Sequence, residues 1–492
     1  MQRLELPILG NVGPRWHLMM NTAAFTICFA AWMMNGVLVT FLVGEGLYNW
    51  DSAQMGWLMG MPVLTGALMR LPAGAWTDRY GGRIIFSLLL LVSSGAMFMV
   101  SMADSYMSFL LASLGFGLSG ASFAIGIAYT SVWFPKERQG LALGIFGIGN
   151  AGAAATALGA PILLRALTDH GANLEGWRAL PQLYALALLV TAVLFFLLTR
   201  HKTVAHARHL TIRQQLTTLK CLRVWRFGLY YFLVFGGFVA LSQWLMLYYT
   251  NVYAMSLAMA GVMTMMFSLP SGIIRAVGGW MSDKWGARPV MYWILGITLG
   301  AAILNITPPM DIYTPGAGVT AARAGTVTEV TSDAIIVDGK QTYELKLKPD
   351  TEPFDRDKDN VILPVLSRWH EPVVQVGDEV IRRQVLANGF THIYYQANIW
   401  IFVALVSIIG ITTGIGKAAV YKYIPDYFPR DVGVVGGFVG LLGALGGFFL
   451  PISFGYMLKW TGIWTTSWMA ISLLTLICIV WLNLAVRRAT RV

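Results

Sequence analysis

Two stretches of the chain are copies of one another, and that duplication limits the fold more than any other feature. Met61 to Arg83 reads MPVLTGALMRLPAGAWTDRYGGR, and Phe267 to Arg288 reads FSLPSGIIRAVGGWMSDKWGAR. Each carries Arg eight residues before Asp, as Arg70 and Asp78 in one copy and Arg275 and Asp283 in the other. Both share Gly-x-x-x-Asp-[Arg/Lys]-x-Gly-x-Arg, formed by Gly74, Asp78, Arg79, Gly81 and Arg83, and by Gly279, Asp283, Lys284, Gly286 and Arg288. The offset of 205 residues predicts two equivalent halves. The motif glycines are expected to let two helices approach and reverse, with the Asp and basic residues tying the helix ends together.

What the halves are made of follows from the apolar runs. Stretches of ~20 apolar residues, enough to cross a ~30 Å hydrocarbon core as helices, recur along the chain, which is 56% hydrophobic and 12% charged. Spans are expected near 19–43, 54–76, 84–103, 107–133, 139–165 and 178–199. Six more are expected near 227–251, 257–281, 289–309, 393–424, 432–458 and 464–486. The first run is too long for a signal-peptide core and no cleavage site follows it. The fold class is an all-α polytopic membrane protein with 12 transmembrane helices in two pseudo-symmetric six-helix halves. Residues 200–226 hold seven Lys or Arg and no acid, which places that loop, and with it both termini, in the cytoplasm. The same rule accounts for the net charge of +11 without nucleic acid. Cys28, Cys221 and Cys478 show neither a disulfide framework nor metal-ligand spacing.

One interval departs from this pattern. Residues 311–390 hold 13 of the 24 acids and nine basic residues, in short β-rich runs such as Gly325 to Val330 and Ala334 to Gly339. The Phe134-Pro135 pair recurs at Phe428-Pro429, an offset of 294, and the excess over 205 is about the length of this interval. The organisation is therefore 1–199, an N-terminal six-helix half; 200–226, a basic linker; 227–310 with 391–492, the C-terminal half; and 311–390, an inserted extracytoplasmic β domain between helices 9 and 10. Val374 to Ala387 reads as a hairpin resembling the barrel-sandwich hybrid of lipoyl-type domains, with no lysine at the cofactor position, so the insert is expected to be a structural or docking module.

The chemistry lies in the charges left within the membrane. The 11 acids outside the insert fall in loops or at span ends, and the histidines avoid span interiors, with His392 at an outer end. Arg70, Arg275 and Lys417 remain mid-helix. An Arg at a helix centre costs ~2.5–3.5 kcal/mol on insertion scales, so it faces the bundle interior. Equivalent positions in two halves face one another across a central cavity. Two guanidinium groups ~7 Å apart repel by ~2.4 kcal/mol at an effective dielectric near 20, and a small anion between them reverses the sign. Binding only to backbone carbonyls or water is the bland alternative. Span 5 carries Gly140, Gly144, Gly147, Gly149, Gly152 and Gly159, and span 11 carries Gly436, Gly437, Gly440, Gly443, Gly446 and Gly447. Such density allows close helix packing and narrows the cavity against large ligands. Asn150 offers its amide either to a polar solute or to a neighbouring helix. The spans hold no nucleophile, metal or acid/base set, which argues against an enzyme, and no cofactor is implied.

The double Gly-x-x-x-Asp-Arg motif resembles that of the major facilitator superfamily. Gly120 to Ala124, Trp133 to Gly140, Ala142 to Gly152 and Gly436 to Pro451 resemble its nitrate/nitrite porter branch, the NarK-type proteins. The resemblance covers all expected spans and excludes the insert. It implies a nitrate and nitrite transporter of the cytoplasmic (inner) membrane, monomeric, with membrane lipids as its surroundings. It implies that Arg70 and Arg275 hold a planar anion sandwiched by Tyr231, Phe235 and Phe123, which suits aromatic faces. Phe146 stands where a polar Asn is expected. Gly414 to Pro425 resembles the subtype that brings nitrate in with protons. Coupling stays open on the residues themselves. The absence of an intramembrane carboxylate favours nitrate/nitrite exchange, whereas the span 10 resemblance and Lys417, a group that can titrate beside two guanidinium groups, favour proton symport. Lys417 snorkelling to the surface is the alternative. Symport is preferred over antiport. A facilitator for another small anion, and a sensor that binds without flux, are the rival classes.

Overall fold

The computed structural model describes residues 13–203, 220–349, 363–428 and 432–489. Arg208 and Arg213 of the basic linker and Pro429 of the recurring Phe-Pro pair lie outside the described residues. The chain divides into two compact units, Met1–Ile306 with Val403–Val492, and Thr307–Phe402.

The first unit is helical. Its described helices are α1 (Pro14–Gly44), α2 (Ser52–Tyr80), α3 (Gly82–Val100), α4 (Tyr106–Ser131), α5 (Arg138–Leu167) and α6 (Leu174–Leu198), followed by α7 (Leu222–Val252). Then come α8 (Leu257–Ile273 and Arg275–Trp285, bent by 45°), α9 (Ala287–Leu304), α10 (Ile399–Tyr427), α11 (Val434–Thr461) and α12 (Thr466–Arg487). Among the described residues, ten helices are long and apolar enough to cross a membrane, or 11 with the bent α8 counted. Helix α2 falls short of that apolarity because Gln54, Pro62, Thr65 and Arg70 dilute its run. The chain is a multi-pass helical membrane protein.

Local chemistry fixes the helix ends. Asp51 and Gln54 form a reciprocal capping box at the start of α2. Gly81 (φ +83°) and Gly286 (φ +82°) close the two copies of the motif in a conformation that only glycine adopts freely. Several helices are broken near their middles: α4 by a 3-10 turn at Gly117–Ala121, α5 by another at Ile148–Ala151, and α7 by a π turn at Phe232–Gly236. Such breaks re-aim side chains and cluster at functional sites.

Packing differs between the two ends of the bundle. Near Asp51, helices α2 and α11 touch backbone to backbone: a methyl group added at Gly56 would lie 2.5 Å from the Pro451 carbonyl oxygen, and one at Gly60 2.7 Å from that of Phe448. Ser52 donates to the Gly455 carbonyl at 2.9 Å, and Lys459 pairs with Asp51 at 2.8 Å. Toward Asp78 and Asp283, nothing lies within 4 Å of a methyl group added at Gly74, Gly140, Gly144 or Gly279. The motif glycines Gly74 and Gly279 therefore do not mark a close approach in this state, contrary to the expectation. Helices α2 and α11 are thus in close contact at the Asp51 end.

The second unit is all β. One antiparallel sheet has the order β1 (Met310–Thr320), β7 (Val385–Tyr395), β5 (Val365–Pro372). The other runs β4 (Gln341–Glu344), β3 (Ala334–Val337), β2 (Gly325–Val330), β6 (Glu379–Val380). Val327, Ile335, Val337, Leu345, Val374, Val380 and Leu386 fill the core. Two expectations change. Strand pairing runs from Met310↔Tyr395 onward, so residues 393–395 belong to β7 and α10 starts at Ile399, and His392 is a strand residue paired with Asp311 at 2.7 Å. Val374 to Ala387 is not a hairpin: Val380 pairs with Gly325 of β2, whereas β7 pairs with β1 and β5. Positive φ at Gly377 (+98°) and Arg383 (+70°) carries the chain from one sheet to the other.

Candidate functional site

Arg70 and Arg275 come from different halves and share one aromatic ring. The Arg70 guanidinium carbon is 5.3 Å from the centroid of Phe123 and that of Arg275 is 5.2 Å from it. Arg70 also lies 4.9 Å from Phe235, and Arg275 5.6 Å from Tyr421. Arg70 is 4% exposed and spends one donor, Nη1, on the Gly440 carbonyl at 2.9 Å. Its Nε and Nη2, and Nη1 of Arg275, are buried without a hydrogen-bond partner. Among the described residues no carboxylate pairs with either guanidinium. Buried charged donors left open carry a desolvation cost that a bound anion removes.

The surrounding rings form a wall on the same side. Tyr231, just before the π turn of α7, and Phe235, within it, lie one turn apart and stack at 5.1 Å with planes 3° apart, and Phe235 faces Phe123 at 6.4 Å. Tyr421 stands edge-on to Tyr231 at 5.0 Å and donates to the Gly436 carbonyl at 3.3 Å. Phe146, in the place of the expected Asn, stacks on Phe25 at 4.7 Å and extends the ring cluster toward Phe123. The polar contribution of α5 is left to Asn150, in the 3-10 turn: it is fully buried, and neither Nδ2 nor Oδ1 has a partner, so the interhelical bond weighed from the sequence is not made.

Lys417 is fully buried in the middle of α10 and does not reach the surface. Its Nζ donates to Ser271 Oγ at 3.0 Å and to the Ser271 carbonyl at 3.3 Å, and sits 3.3 Å from the centroid of Phe238.

The family model described as Major Facilitator Superfamily matches residues 20–332. The Thermus thermophilus protein named "Probable nitrate/nitrite antiporter NarK1" is 37% identical over 95% of this chain and 91% of its own length. The chain belongs to the major facilitator superfamily, in its NarK-type nitrate/nitrite porter branch. It is also 24% identical to the "Nitrite extrusion protein" of Bacillus subtilis, over 95% of each chain. Among solved structures, a bacterial homologue of the human lysosomal transporter Spinster superposes with a TM-score of 0.63 over 97% of this chain and 98% of its own, at 16% identity. That likeness concerns the fold. The family is one of transporters rather than enzymes.

Two of the signature glycines lie against the arginine of the opposite half. Gly147 of α5 lies against Arg275, 3.3 Å from its Cδ for an added methyl, and Gly440 of α11 lies 3.0 Å from the Tyr421 hydroxyl and 3.8 Å from Arg70 Nη1. Gly443 packs against the Tyr231 ring, Gly446 against the α7 backbone at Phe232, and Gly447 against Val239. Gly149 and Gly152 seat α5 on Phe25 and on the Thr26 carbonyl of α1. Gly144 faces open space.

The loop motifs make contacts that the sequence did not specify. Arg83 donates to the Phe196 carbonyl at 2.7 Å, joining α3 to α6, and Arg288 reaches Tyr427 of α10 at 3.3 Å. Asp283 pairs with Lys422 of α10 at 2.7 Å rather than with a motif residue, while Arg79 lies over Tyr80, and Lys284 over Trp280 and Trp285. The site residues missed from the sequence are Tyr421, Phe238 and Ser271. The available signal was spacing, since Tyr421 is one helical turn beyond Lys417 and Ser271 one turn before Arg275.

Proposed function

We propose that this protein carries nitrate, and nitrite with it, across the cytoplasmic membrane by alternating access, holding the anion between Arg70 and Arg275. The observation that carries the reading is the set of unpaired guanidinium donors, Arg70 Nε and Nη2 with Arg275 Nη1, buried around the Phe123 ring. Three donors around a flat aromatic cradle suit a small planar anion, with Tyr231 and Phe235 completing the wall and Asn150 adding an amide. The names of the relatives support nitrate and nitrite. In this reading twelve helices cross the membrane, α2 among them, with both termini inside and the β unit outside. In this reading the Asp51 end, where α2 and α11 close on one another, is the outer end, and the Asp78 end faces the cytoplasm. The Gly-x-x-x-Asp loops sit at that inner face, and the protein works as a monomer.

The coupling we propose is nitrate/proton symport with Lys417 as the titrating group, since it is the one buried amine beside Arg275 among the described residues. Nitrate/nitrite exchange is the second reading, favoured by the name of the Thermus relative and by the absence of a carboxylate partner. Nitrate uptake into proteoliposomes separates them. Accumulation driven by an inward proton gradient supports symport, and accumulation only with internal nitrite at equal pH supports exchange. Phosphate, sulfate or lactate displacing nitrate from uptake would refute the substrate assignment, and nitrate binding without flux would indicate a sensor.

A further inference from the structure

The break in α8 lies immediately before Arg275. Leu257–Ile273 ends with Pro270, Ser271 and Gly272 in its last turn, and the second segment starts at Arg275 after a 45° bend. Proline and glycine in one turn are a recognised cause of such kinks. Ile274 N–H still reaches the Pro270 carbonyl at 2.9 Å, but the next rung of the ladder, from Arg275 N–H to the Ser271 carbonyl, is not made among the described residues. The freed Ser271 carbonyl instead accepts from Lys417 Nζ at 3.3 Å, with Ser271 Oγ accepting at 3.0 Å.

We infer that Lys417 is a positioning residue for the anion site: its ammonium caps the carbonyl end of the first α8 segment and thereby sets the direction in which Arg275 leaves the break. A cation is favoured at the carbonyl end of a helix segment, and here the cap is imported from another helix. The clamp is held in place in turn. Phe238 lies under Lys417 Nζ, and Thr413, one turn earlier on α10, is 3.3 Å from Ser271 Oγ. On its far side the Arg275 stem rests against Gly147 of α5. Arg275 is thus fixed between a glycine floor and a lysine clip, and displacing the clip turns the guanidinium away from the planar anion while leaving its charge nearby. This inference rests on the reading of Arg275 as an anion ligand.

The test compares a planar anion with a spherical one. Nitrate and bromide dissociation constants are measured by titration calorimetry on purified full-length wild type, Lys417→Met and Lys417→Arg, with Lys417→Gln as substitute if the methionine variant aggregates. A misplaced fork loses the two-bond contact available to nitrate but little of its attraction for bromide. Lys417→Met should weaken nitrate roughly tenfold and bromide by less than about threefold, while Lys417→Arg, which keeps donors to Ser271, should stay within about threefold of wild type for both. Nitrate affinity unchanged in Lys417→Met would overturn the inference. So would a parallel loss for both anions, which would mean that Lys417 acts through its charge alone. A wild type that binds no nitrate would overturn the function reading and this inference together, an outcome visible before any variant is made.

Discussion

Replacing Arg70 by lysine separates the shape of the guanidinium from its charge. In the wild type Nη1 is committed to the Gly440 carbonyl at 2.9 Å, and Nε and Nη2 are the buried donors free to take an anion. A lysine ammonium can keep the bond to Gly440 or turn toward the anion, but it cannot offer two parallel N–H groups from one plane. It also loses the flat stacking between Phe123 and Phe235, whose centroids lie 5.3 and 4.9 Å from the guanidinium carbon. One charge-assisted hydrogen bond lost to the anion is worth about 1.5–3 kcal/mol, which corresponds to a roughly 10- to 150-fold rise in the nitrate Kd. The Gly440 anchor gives a control: because lysine can still bond that carbonyl, the variant should insert and remain monodisperse. Calorimetric titration of nitrate into both proteins, with size-exclusion profiles and Tm alongside, reads the difference. A folded Arg70→Lys protein whose nitrate Kd stays within about twofold of wild type would refute the clamp, because no other change removes the planar fork so cleanly.

Gly443→Ala should weaken nitrate binding at least as much as it lowers Tm, since the new methyl would collide with the Tyr231 ring and drive it off its stack on Phe235; a variant with unchanged affinity would remove Tyr231 from the site. The Asp51 carboxylate is held below the usual carboxylate range, first by its bond to Lys459 and also by the Gln54 N–H. A depressed acid contributes above its unfolded pKa and loses that contribution as pH falls through the folded one, so the accessibility of a cysteine introduced beside Ser52 should be flat from about pH 5 to 8 and rise only in stronger acid. Asp51→Asn should raise that accessibility at neutral pH, and an effect confined to acid would contradict the clasp. Ile335→Ala, in the core of the β unit, should speed amide exchange across β2 and β3 by an amount corresponding to about 2–5 kcal/mol, read by hydrogen exchange on the full-length protein.

Much of the architecture could be read from charge placement. A duplicated Arg, a basic loop and an acid-rich β interval are one-dimensional signals, and they pointed to a multi-pass helical protein of this family and to a separate β unit. The limits of that unit could not be read, because β1 and β7 continue past the compositional change and Tyr395 sits in a strand only through its pairing with Met310. Nor could the false hairpin at Val374 to Ala387 be recognised, since which sheet Val380 joins depends on two positive-φ turns. In the site, Arg70, Arg275 and Phe123 stand out by chemistry or by resemblance. Tyr421 and Ser271 do not, because a tyrosine and a serine in a membrane helix are unremarkable until the backbone breaks nearby. Asn150 was ambiguous for the same reason, and its two unpartnered amide atoms are visible only in three dimensions.

The pairing of Met310 with Tyr395 also has a meaning for how such a chain can be rebuilt. Residues directly opposite in an antiparallel ladder are about 4.5–5.5 Å apart, so the two strands that open and close the β unit have their ends side by side. The whole stretch from Met310 to Tyr395 hangs from a gap that a two-residue turn can bridge. The β unit can therefore be cut at these two neighbouring positions and traded for a short turn, a fluorescent reporter or an affinity module whose own ends lie equally close.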